Sequence, residues 1–454
     1  MVKSFYILTL GCAKNEVVSE KFSSNLLKAG LKNESDASKA DYIIINTCGF
    51  IEDAVEESIE ESLKAVKIKK KNGKVILTGC LAQIYKKELK EQLLEVDEIL
   101  DYNSFYDYFA AQSVDSSFAP YEDTFSRNYS QDLKYKNWDY LLISEGCSKN
   151  CTYCTIPIIK GDYRSFQEDK LIEEARIIFK SRKDEIILIS QDTALYGNDI
   201  INGSNIKTKR ASSIEPLRRL ASRLHDIGFK RIRILYFNLD SLPQNTCLKM
   251  IKELYNMPGV LPYFEMPVQH LVDSILAKMG RQLDFASITN IFNEIKQNFP
   301  DSIIRTSLIT GFPGESEDDF LLMKKRLESL PIDYLSVFAY SDMEKAPSFL
   351  FKDKVERHIA VERRNDLLEN FEQTLPLKMN RFIDQKYESV IEDESEDAYF
   401  ARFWAQAPQL DGTIIIPKDD LNLKIKYNGS LNIGDNISVK LVDSILYDFL
   451  GEIE

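Results

Sequence analysis

The sequence predicts an α/β protein of three domains: a small parallel α/β domain, a partial (β/α)6 TIM-like barrel, and a small antiparallel β-barrel. A chain of 454 residues is two to three times the length of a typical domain. Short apolar runs alternate with amphipathic stretches over most of the chain, which is typical of parallel sheets. The last part has short strand-like runs broken by Asp, Gly and Asn, which is typical of a small antiparallel barrel. We place the domains at residues 1–118, 133–370 and 376–454.

The first domain is predicted from alternating strands and helices. The pattern gives, in chain order, a strand at 5–10, a helix at 14–29, a strand at 42–46, a helix at 52–71 and a strand at 74–78. The stretch 112–132 is rich in Ser, Asp and Tyr without periodicity, which predicts a linker or an irregular hairpin.

The second and third domains differ in their pattern. Six strands with helical stretches between them are predicted at 140–144, 185–190, 231–237, 262–268, 303–310 and 334–339. Six βα units are too few for a complete eight-fold barrel, so we expect an open one. The strands of the third domain are predicted at 387–391, 398–406, 412–416, 421–426 and 436–442, with the acidic run 392–397 as a solvated hairpin turn.

Charge and composition exclude several classes of protein. The chain has 71 acidic and 58 basic residues, a net charge of −13, so it is a poor candidate for a protein that mainly binds nucleic-acid phosphates. No stretch approaches the roughly 18–20 apolar residues of a membrane span, and nothing at the N-terminus resembles a secretion signal. We expect a cytoplasmic protein without a membrane partner, whose reduced thiols are available to bind metal.

Three cysteines lie in one loop after the predicted strand at 140–144. Cys147, Cys151 and Cys154 form the pattern C-x3-C-x2-C, with Tyr153 between the last two. Three thiolates on one tight loop can bind three irons of a 4Fe-4S cluster, which leaves the fourth iron open to another ligand. The alternatives are a zinc knuckle without its fourth ligand and three unrelated buried thiols.

A second set of cysteines is spread over the first domain. Cys12, Cys48 and Cys80 each follow one of its three predicted strands. Because the carboxyl ends of neighbouring parallel strands meet at one edge of a sheet, we expect these thiols to converge there. Flanking glycines should leave them exposed to a ligand, and buried core thiols are the alternative. Cys247 belongs to neither set and is expected to be a buried structural thiol.

The cysteine loop resembles the C-x3-C-x-aromatic-C motif of the radical S-adenosylmethionine (SAM) superfamily, whose fold is a partial barrel. The resemblance implies that SAM binds the open iron and is cleaved by one electron to a radical that abstracts hydrogen from an unactivated C–H bond. Two later runs support SAM binding: Gly-Phe-Pro-Gly-Glu at 311–315, where glycines allow close backbone approach, and the polar run Ser-Gln-Asp-Thr at 190–193. The expected SAM contacts are Tyr153, Ser190, Gln191, Gln269, Gly311, Gly314 and Glu315.

The whole chain resembles one family of this superfamily, the methylthiotransferases. The resemblance implies two 4Fe-4S clusters, an auxiliary one on Cys12, Cys48 and Cys80 and a SAM-binding one on Cys147, Cys151 and Cys154. It also implies that SAM is used twice, once to methylate sulfur held at the auxiliary cluster and once to make the radical. An electron donor such as flavodoxin or ferredoxin is implied as a partner.

Local sequences are similar to those of RimO-type members, which modify the β-carbon of an aspartate in the small-subunit ribosomal protein numbered twelve. The similar runs are 46–51, 144–147, 190–193 and 267–270. MiaB-like members, which modify a tRNA adenosine, are the alternative, and they tend to have Gln-Asn-Val where Gln-Asp-Thr stands here. The chain departs from the RimO-type pattern at Ala13, at Lys160 and over 235–240, which concerns substrate contacts rather than the cysteines.

The acidity of the chain is concentrated in the third domain, which resembles the TRAM module. Residues 380–454 contain 15 acidic and 7 basic residues, a net charge of −8. Such a barrel should repel phosphate and attract a basic ribosomal protein, so tRNA is the less favoured substrate. Acidity that serves only solubility is the alternative.

A few alternatives stay open at this point. A two-cluster electron carrier is another possible class, although it would need no SAM site. His270 could contact SAM or substrate, or be structural. The six lysines within 64–74 are expected to form a solvated helix end or, alternatively, a patch facing ribosomal RNA.

Overall fold

A computed structural model describes residues 2–111, 136–181, 183–201, 210–419, 423, 426–427 and 430–454. The N-terminal domain is a five-stranded parallel sheet in the order β2-β1-β3-β4-β5. Its strands are β1 Ser4–Thr9, β2 Lys32–Asn33, β3 Tyr42–Thr47, β4 Lys74–Gly79 and β5 Glu98–Ile99. The central strand β3 is buried along its whole length, because helices cover both faces of the sheet. These helices are α1 Ala13–Lys28, α2 Glu52–Ile68, α3 Cys80–Gln92 and α4 Tyr102–Ala110.

The second domain contains six parallel strands in two three-stranded sheets, β10-β9-β6 and β11-β12-β13. A parallel bridge between Ile232 and Val260 connects the two sheets, which gives the open barrel that the sequence predicts. The strands are β6 Trp138–Leu142, β9 Glu185–Ile189, β10 Arg231–Ile234, β11 Tyr263–Glu265, β12 Ile303–Thr310 and β13 Tyr334–Ala339. A small antiparallel pair, β7 Ser144–Glu145 and β8 Arg164–Ser165, lies beside β6.

Helices connect these strands and cover the outside of the barrel. They are α5 Ile156–Lys160, α6 Glu168–Lys180, α7 Asn198–Ile201, α8 Glu215–Ile227, α9 Cys247–Tyr255, α10 Asp273–Lys278, α11 Phe285–Asn298, α12 Glu317–Glu328, α13 Arg357–Glu372 and α14 Leu375–Met379. Helix α12 begins with a capping box in which Ser316 and Asp319 satisfy each other's backbone N–H groups.

The third domain is a closed five-stranded barrel in the order β14-β15-β16-β18-β17. Its strands are β14 Lys386–Glu394, β15 Ala398–Arg402, β16 Ile414–Pro417, β17 Asn436–Ile445 and β18 Asp448–Ile453. The predicted antiparallel barrel is therefore confirmed, with one parallel pair, β16 with β18, that closes it.

The C-terminal barrel is joined to the partial barrel through a buried network of charges. Glu185, at the start of β9, forms ion pairs with Arg233 at 2.7 Å and with Arg402 of the C-terminal barrel at 2.8 Å. Asp411 pairs with Arg305 and accepts a hydrogen bond from the Tyr263 hydroxyl at 2.6 Å. The partial-barrel members of this network lie in the first three positions of their strands, so the C-terminal barrel caps the end of the partial barrel where the strands begin.

Several predicted elements need correction. The strand expected at 262–268 is only Tyr263–Glu265, because Pro267 has no N–H to continue the ladder. The acidic run 392–397 is not all turn, since β14 continues to Glu394. The short strands β2 and β5 and the last strand β18 were not predicted. The expected linker at 112–132 and most of the expected strand at 421–426 lie outside the described residues. Within the described ranges, no helix is long and apolar enough to cross a membrane.

Candidate functional site

The structure brings Cys12, Cys48 and Cys80 to one edge of the N-terminal sheet. Each follows the carboxyl end of β1, β3 or β4, and these three strands are direct neighbours. Gly11 adopts a positive φ of 90°, and a Cβ on it would lie 2.9 Å from the Cys48 sulfur. The thiol of Cys48 therefore packs against the backbone that precedes Cys12, as the strand-end argument predicts.

The exposure of these thiols differs from the expectation. Cys12 is exposed and Cys48 is half-buried, but Cys80 is buried. The reason is that Cys80 opens α3, where its sulfur lies 3.6 Å from the Asn15 amide oxygen and 3.9 Å from the Tyr102 hydroxyl.

Asn15 is a site residue that the sequence reasoning missed. Its side-chain amide donates to the backbone oxygen of Leu10 at 2.9 Å and of Thr47 at 3.0 Å, and its oxygen faces Cys80. One buried side chain thus connects the ends of all three strands that carry the cysteines. The only signal in the sequence is its position three residues after Cys12, which does not reveal its long-range partners.

The second cysteine set lies on a loop whose two ends are joined by the β7–β8 pair. The Cys147 backbone N–H donates to Gly161 at 3.0 Å, and that of Cys154 donates to Cys151 at 3.2 Å. Gly146 has a φ of 78°, and a Cβ there would lie 2.1 Å from the Asp162 backbone oxygen. All three cysteines are half-buried, and Tyr153 lies among them beside Cys151.

Burial controls the protonation of these thiols. It raises the pKa of Cys48 and of Cys147 to about 12, and it also raises the pKa of Cys80 and Cys154. Such thiols are protonated at neutral pH and are poor free nucleophiles. A metal ion that binds such a thiol must displace its proton, so metal loading at these positions would release protons.

Each candidate set consists of three thiols and no other ligand type. Among the described residues, no group of three or more His, Cys, Asp or Glu side chains is gathered closely enough to hold a single metal ion. A 4Fe-4S cluster takes each thiolate on a different iron, and all-cysteine ligation is its usual form, so the donor type suits such a cluster.

The polar run that ends β9 lies beside the cysteine loop. Asp192 is fully buried, accepts a hydrogen bond from the Ser241 hydroxyl, and has a pKa raised to about 6 by burial. Ser190 accepts from the Asp192 backbone N–H at 2.8 Å. One oxygen of Asp192 and the side-chain oxygen of Gln191 are buried without a hydrogen-bond partner among the described residues. Buried unsatisfied acceptors are rare, and here they suit a polar ligand such as the methionyl part of SAM.

Cationic side chains face this run and were not singled out from the sequence. Arg281 pairs with Asp240 at 2.6 Å, and the Lys149 ammonium donates to the Asp240 backbone oxygen at 3.2 Å. Burial lowers the pKa of Lys149, while the carboxylates of Asp192 and Asp240 oppose that effect. The pocket next to the cysteine loop thus contains both signs of charge, as a zwitterionic amino-acid ligand requires.

The space beside the two glycines of the turn after β12 is occupied by other residues of the chain, rather than open to a ligand as expected. A Cβ on Gly311 would lie 2.2 Å from the Ala360 Cβ, and one on Gly314 would lie 2.2 Å from the Lys278 ammonium. The Glu315 carboxylate is buried and accepts from the Gly311 N–H at 2.9 Å.

The same carboxylate contacts two further side chains, Arg363 at 2.8 Å and His270 at 3.0 Å. Glu315 therefore fixes the turn, and His270 has a structural partner. Gln269, with a φ of 75°, donates from its amide to the Ser307 hydroxyl at 3.2 Å.

The N-terminal domain and the partial barrel meet between the two cysteine sets. The Lys160 ammonium donates to the Tyr102 hydroxyl at 2.8 Å and to Glu145 at 2.7 Å, and its side chain is only 5% exposed. Because Tyr102 contacts Cys80 and Glu145 lies two residues before Cys147, this chain of contacts leads from one set to the other. Lys160 was noted in the sequence only as a departure from a family pattern.

Two remaining sequence features have structural roles. Cys247 is buried at the start of α9, as expected. In the lysine run within 64–74, four members form ion pairs with carboxylates, namely Lys64, Lys69, Lys70 and Lys74.

The comparisons with known proteins cover all three domains. The description "Uncharacterized protein family UPF0004" matches residues 4–101, the radical SAM superfamily matches residues 141–327, and the TRAM domain matches residues 383–453. The chain is 33% identical to the ribosomal protein uS12 methylthiotransferase RimO of Acetivibrio thermocellus, over 100% of this chain and 99% of that protein. It is 32% identical to the protein of the same name from Thermotoga maritima, over 98% and 99%.

Solved structures support the fold. A radical SAM methyltransferase, TsrM, from Kitasatospora setae superimposes with a TM-score of 0.55 and 11% identity, covering 77% of each chain.

Proposed function

The chain belongs to the family of ribosomal protein uS12 methylthiotransferases named RimO, and on that basis we propose that it adds a methylthio group to the β-carbon of an aspartate in this ribosomal protein. The observation that carries the proposal is the pair of three-cysteine sets, one at the edge of the N-terminal sheet and one at the mouth of the barrel, with a polar pocket beside the second. An electron carrier would need the thiols but not this pocket.

We further propose how the chain binds its cofactors. Cys12, Cys48 and Cys80 hold an auxiliary 4Fe-4S cluster, and the cysteine loop holds a second one that binds SAM. When bound, the clusters and SAM supply the electron, the sulfur and the methyl group of the reaction. In the loop, the three thiols leave one iron to SAM.

The chain's own residues orient SAM and the substrate. Asp192 and Gln191 accept hydrogen bonds from the methionyl amine, while Lys149 and Arg281 balance the charge of the pocket. Tyr153, Ser190, Gln269 and the 311–315 turn shape the remainder of the SAM site. The turn does so through its fixed backbone, because the Glu315 carboxylate is engaged by Arg363 and His270.

The charge distribution favours a protein substrate over tRNA. The C-terminal barrel has a net charge of −8, which attracts the basic ribosomal protein and repels phosphate. We infer that the enzyme acts in the cytoplasm, where ribosomes are available, with a small electron-transfer protein such as flavodoxin or ferredoxin as reductant. We place the limits of the auxiliary-cluster domain, the SAM-binding domain and the C-terminal barrel at residues 1–118, 133–370 and 376–454.

Two experiments test the proposal. Mass spectrometry of the ribosomal protein and of tRNA from a deletion strain identifies the substrate. Loss of the methylthio group from the protein is expected, and its loss from a tRNA adenosine instead would refute the assignment.

Cysteine variants test the cluster ligands. Reconstituted full-length protein should contain about eight irons per chain, and either Cys12→Ala or Cys147→Ala should reduce this to about four. Cys247→Ala is the control, because this thiol is buried, unlike Cys12 and Cys147, and belongs to neither set. An unchanged iron content in both cluster variants would contradict the proposed ligands.

A further inference from the structure

Tyr236, at the mouth of the barrel just after β10, is held in a strained conformation. Its φ is 58°, in the left-handed region that bulky residues avoid. Two contacts fix this backbone: the Tyr236 N–H donates to the Glu265 carboxylate, and its carbonyl accepts from the Thr193 N–H at 3.1 Å. Strain of this kind persists where the surrounding structure imposes it, and it is concentrated at functional sites.

In this backbone conformation, the tyrosine ring lies under a lysine of the N-terminal domain. The Lys14 ammonium lies 3.3 Å from the centre of the Tyr236 ring. Lys14 is the second residue of α1 and follows Cys12 by two positions, so its charge stands beside the auxiliary cysteine set and above the barrel mouth. The ring thus fixes the position of a cation between the two candidate cluster sites.

The ammonium retains capacity to bind an anion. A contact with an aromatic face is electrostatic and does not use up the three N–H donors of a lysine. Its charge acts on Glu265, whose carboxylate is already bonded to the Tyr236 backbone and whose pKa is raised by burial. No ion pair within 4 Å joins Lys14 to a carboxylate of the described residues.

We propose that Lys14 binds the side-chain carboxylate of the target aspartate and so positions its β-carbon between the two cysteine sets. The inference rests on the proposed function and names the residue that selects an acidic target. An aspartate β-carbon is bonded directly to the carboxylate carbon, so anchoring the carboxylate also fixes the carbon that reacts. A partly desolvated ammonium binds a carboxylate more strongly and more directionally than an exposed one does.

The competing explanation is that the Lys14–Tyr236 contact only joins the two domains. Another lysine of α1 provides the matched control. The Lys21 ammonium lies 4.7 Å from the centre of the Phe166 ring, so it also connects α1 to the second domain through an aromatic face. A pure docking role predicts that Lys14→Met and Lys21→Met behave alike.

The test uses full-length protein with both clusters, purified without oxygen, and two peptides of the ribosomal protein that carry Asp or Asn at the target position. Peptide affinity is measured by fluorescence anisotropy and kcat/KM by mass spectrometry. For the wild type we expect an affinity ~10- to 100-fold higher for the Asp peptide, as a charged hydrogen bond implies. Lys14→Met should remove this preference while iron content stays unchanged, and Lys14→Arg should retain most of it.

Each outcome has a definite meaning. Lys21→Met should leave the Asp preference intact even if the protein is less stable. A Lys14→Met variant that still prefers the Asp peptide would overturn the inference. If the wild type neither binds nor modifies the Asp peptide, the proposed function fails and the inference fails with it.

Discussion

Replacing Glu185 by Gln tests the buried charge network that attaches the C-terminal barrel. The carboxylate is 1% exposed and bonds to Arg233 and Arg402, which are 0% and 3% exposed. Burial by itself raises the pKa of Glu185, but the guanidinium groups of Arg233 and Arg402, with a smaller contribution from Arg231, outweigh this effect and lower the pKa from 4.5 to about 2. At 1.36 kcal/mol per pKa unit, the ionised carboxylate contributes about 3 kcal/mol to the free energy of unfolding.

The pH dependence follows from the direction of that change. Because the folded-state pKa is lowered, the contribution is fully present above about pH 4.5 and is lost as the pH falls toward 2. At pH 7, Glu185→Gln should reduce the free energy of unfolding by about 3–5 kcal/mol, since it leaves two buried guanidinium groups without their shared carboxylate. The variant should also lose less stability than the wild type between pH 4.5 and 2.

Urea unfolding followed by tryptophan fluorescence is a direct assay. The chain has two tryptophans, and the backbone of Trp404 accepts a hydrogen bond from Arg233 within this junction. The unfolding experiment uses cluster-free protein, because acid would release iron from the clusters during the pH series. Glu394→Gln is the control, because Glu394 pairs with Lys418 on the surface and should cost less than about 1 kcal/mol. Equal stability of Glu185→Gln and wild type at pH 7 would refute the reasoning.

Three further predictions concern the candidate site. Glu315→Gln should reduce the free energy of unfolding by about 2–4 kcal/mol and weaken SAM binding, because Arg363 and His270 lose a buried carboxylate partner. Calorimetry measures the stability and equilibrium binding measures the SAM affinity. An unchanged SAM affinity would show that the 311–315 turn does not depend on the Glu315 carboxylate. Lys160→Met should lower the thermal stability and the iron content of the auxiliary cluster, and Lys160→Arg should retain both. Equal iron content in the wild type and the two variants would argue against a role of Lys160 in joining the two cysteine sets. Gly146→Ala should prevent iron binding at the cysteine loop, because the new Cβ would clash with the Asp162 backbone. Gly161→Ala is the control and should retain the iron, because Gly161 has a similar φ but no atom within 4 Å of a Cβ placed there.

Long apolar runs made most of the fold predictable from the sequence. The strands at 303–310 and 334–339 were predicted at their observed limits, because both are rich in β-branched and aromatic residues and most of their positions are buried. The strands β2 and β5 have two residues each, too few to show a period. Strand β18 was missed because Asp448 and Gly451 interrupt its apolar residues, although Gly451 is required by close packing against Val439 and Ile414.

The cysteines of the site were predictable, but most of their surroundings were not. Strand-end position and loop spacing are visible in the sequence, and they predicted that Cys12, Cys48 and Cys80 meet at one edge of the N-terminal sheet. Asn15 and Tyr102 act through contacts to residues distant in the chain, which no local pattern reveals. The glycine at 311 was noted for ligand approach, yet the space beside it is filled by Ala360 of α13, a contact that depends on how that helix folds back.

We propose that substrate selection is divided between the two ends of the partial barrel. The acidic C-terminal barrel contacts the starts of β9, β11 and β12, whereas the cysteine sets and Lys14 lie at the ends of strands. Strands β9 and β12, of five and eight residues, span about 16 and about 26 Å at ~3.3 Å per residue, which exceeds the ~8 Å Debye length in physiological salt. The charge of the C-terminal barrel therefore increases the rate of encounter with a basic protein but cannot orient one aspartate.

Salt separates these two contributions. Raising the ionic strength should slow association of the ribosomal protein, measured by stopped-flow fluorescence, because steering between exposed charges is screened. The preference for an Asp over an Asn peptide should change little, because Lys14 is half-buried and the proposed carboxylate would contact its ammonium directly. If salt removed the Asp preference in proportion to the loss of association rate, long-range charge alone would account for selection, and the division between the two ends would be wrong.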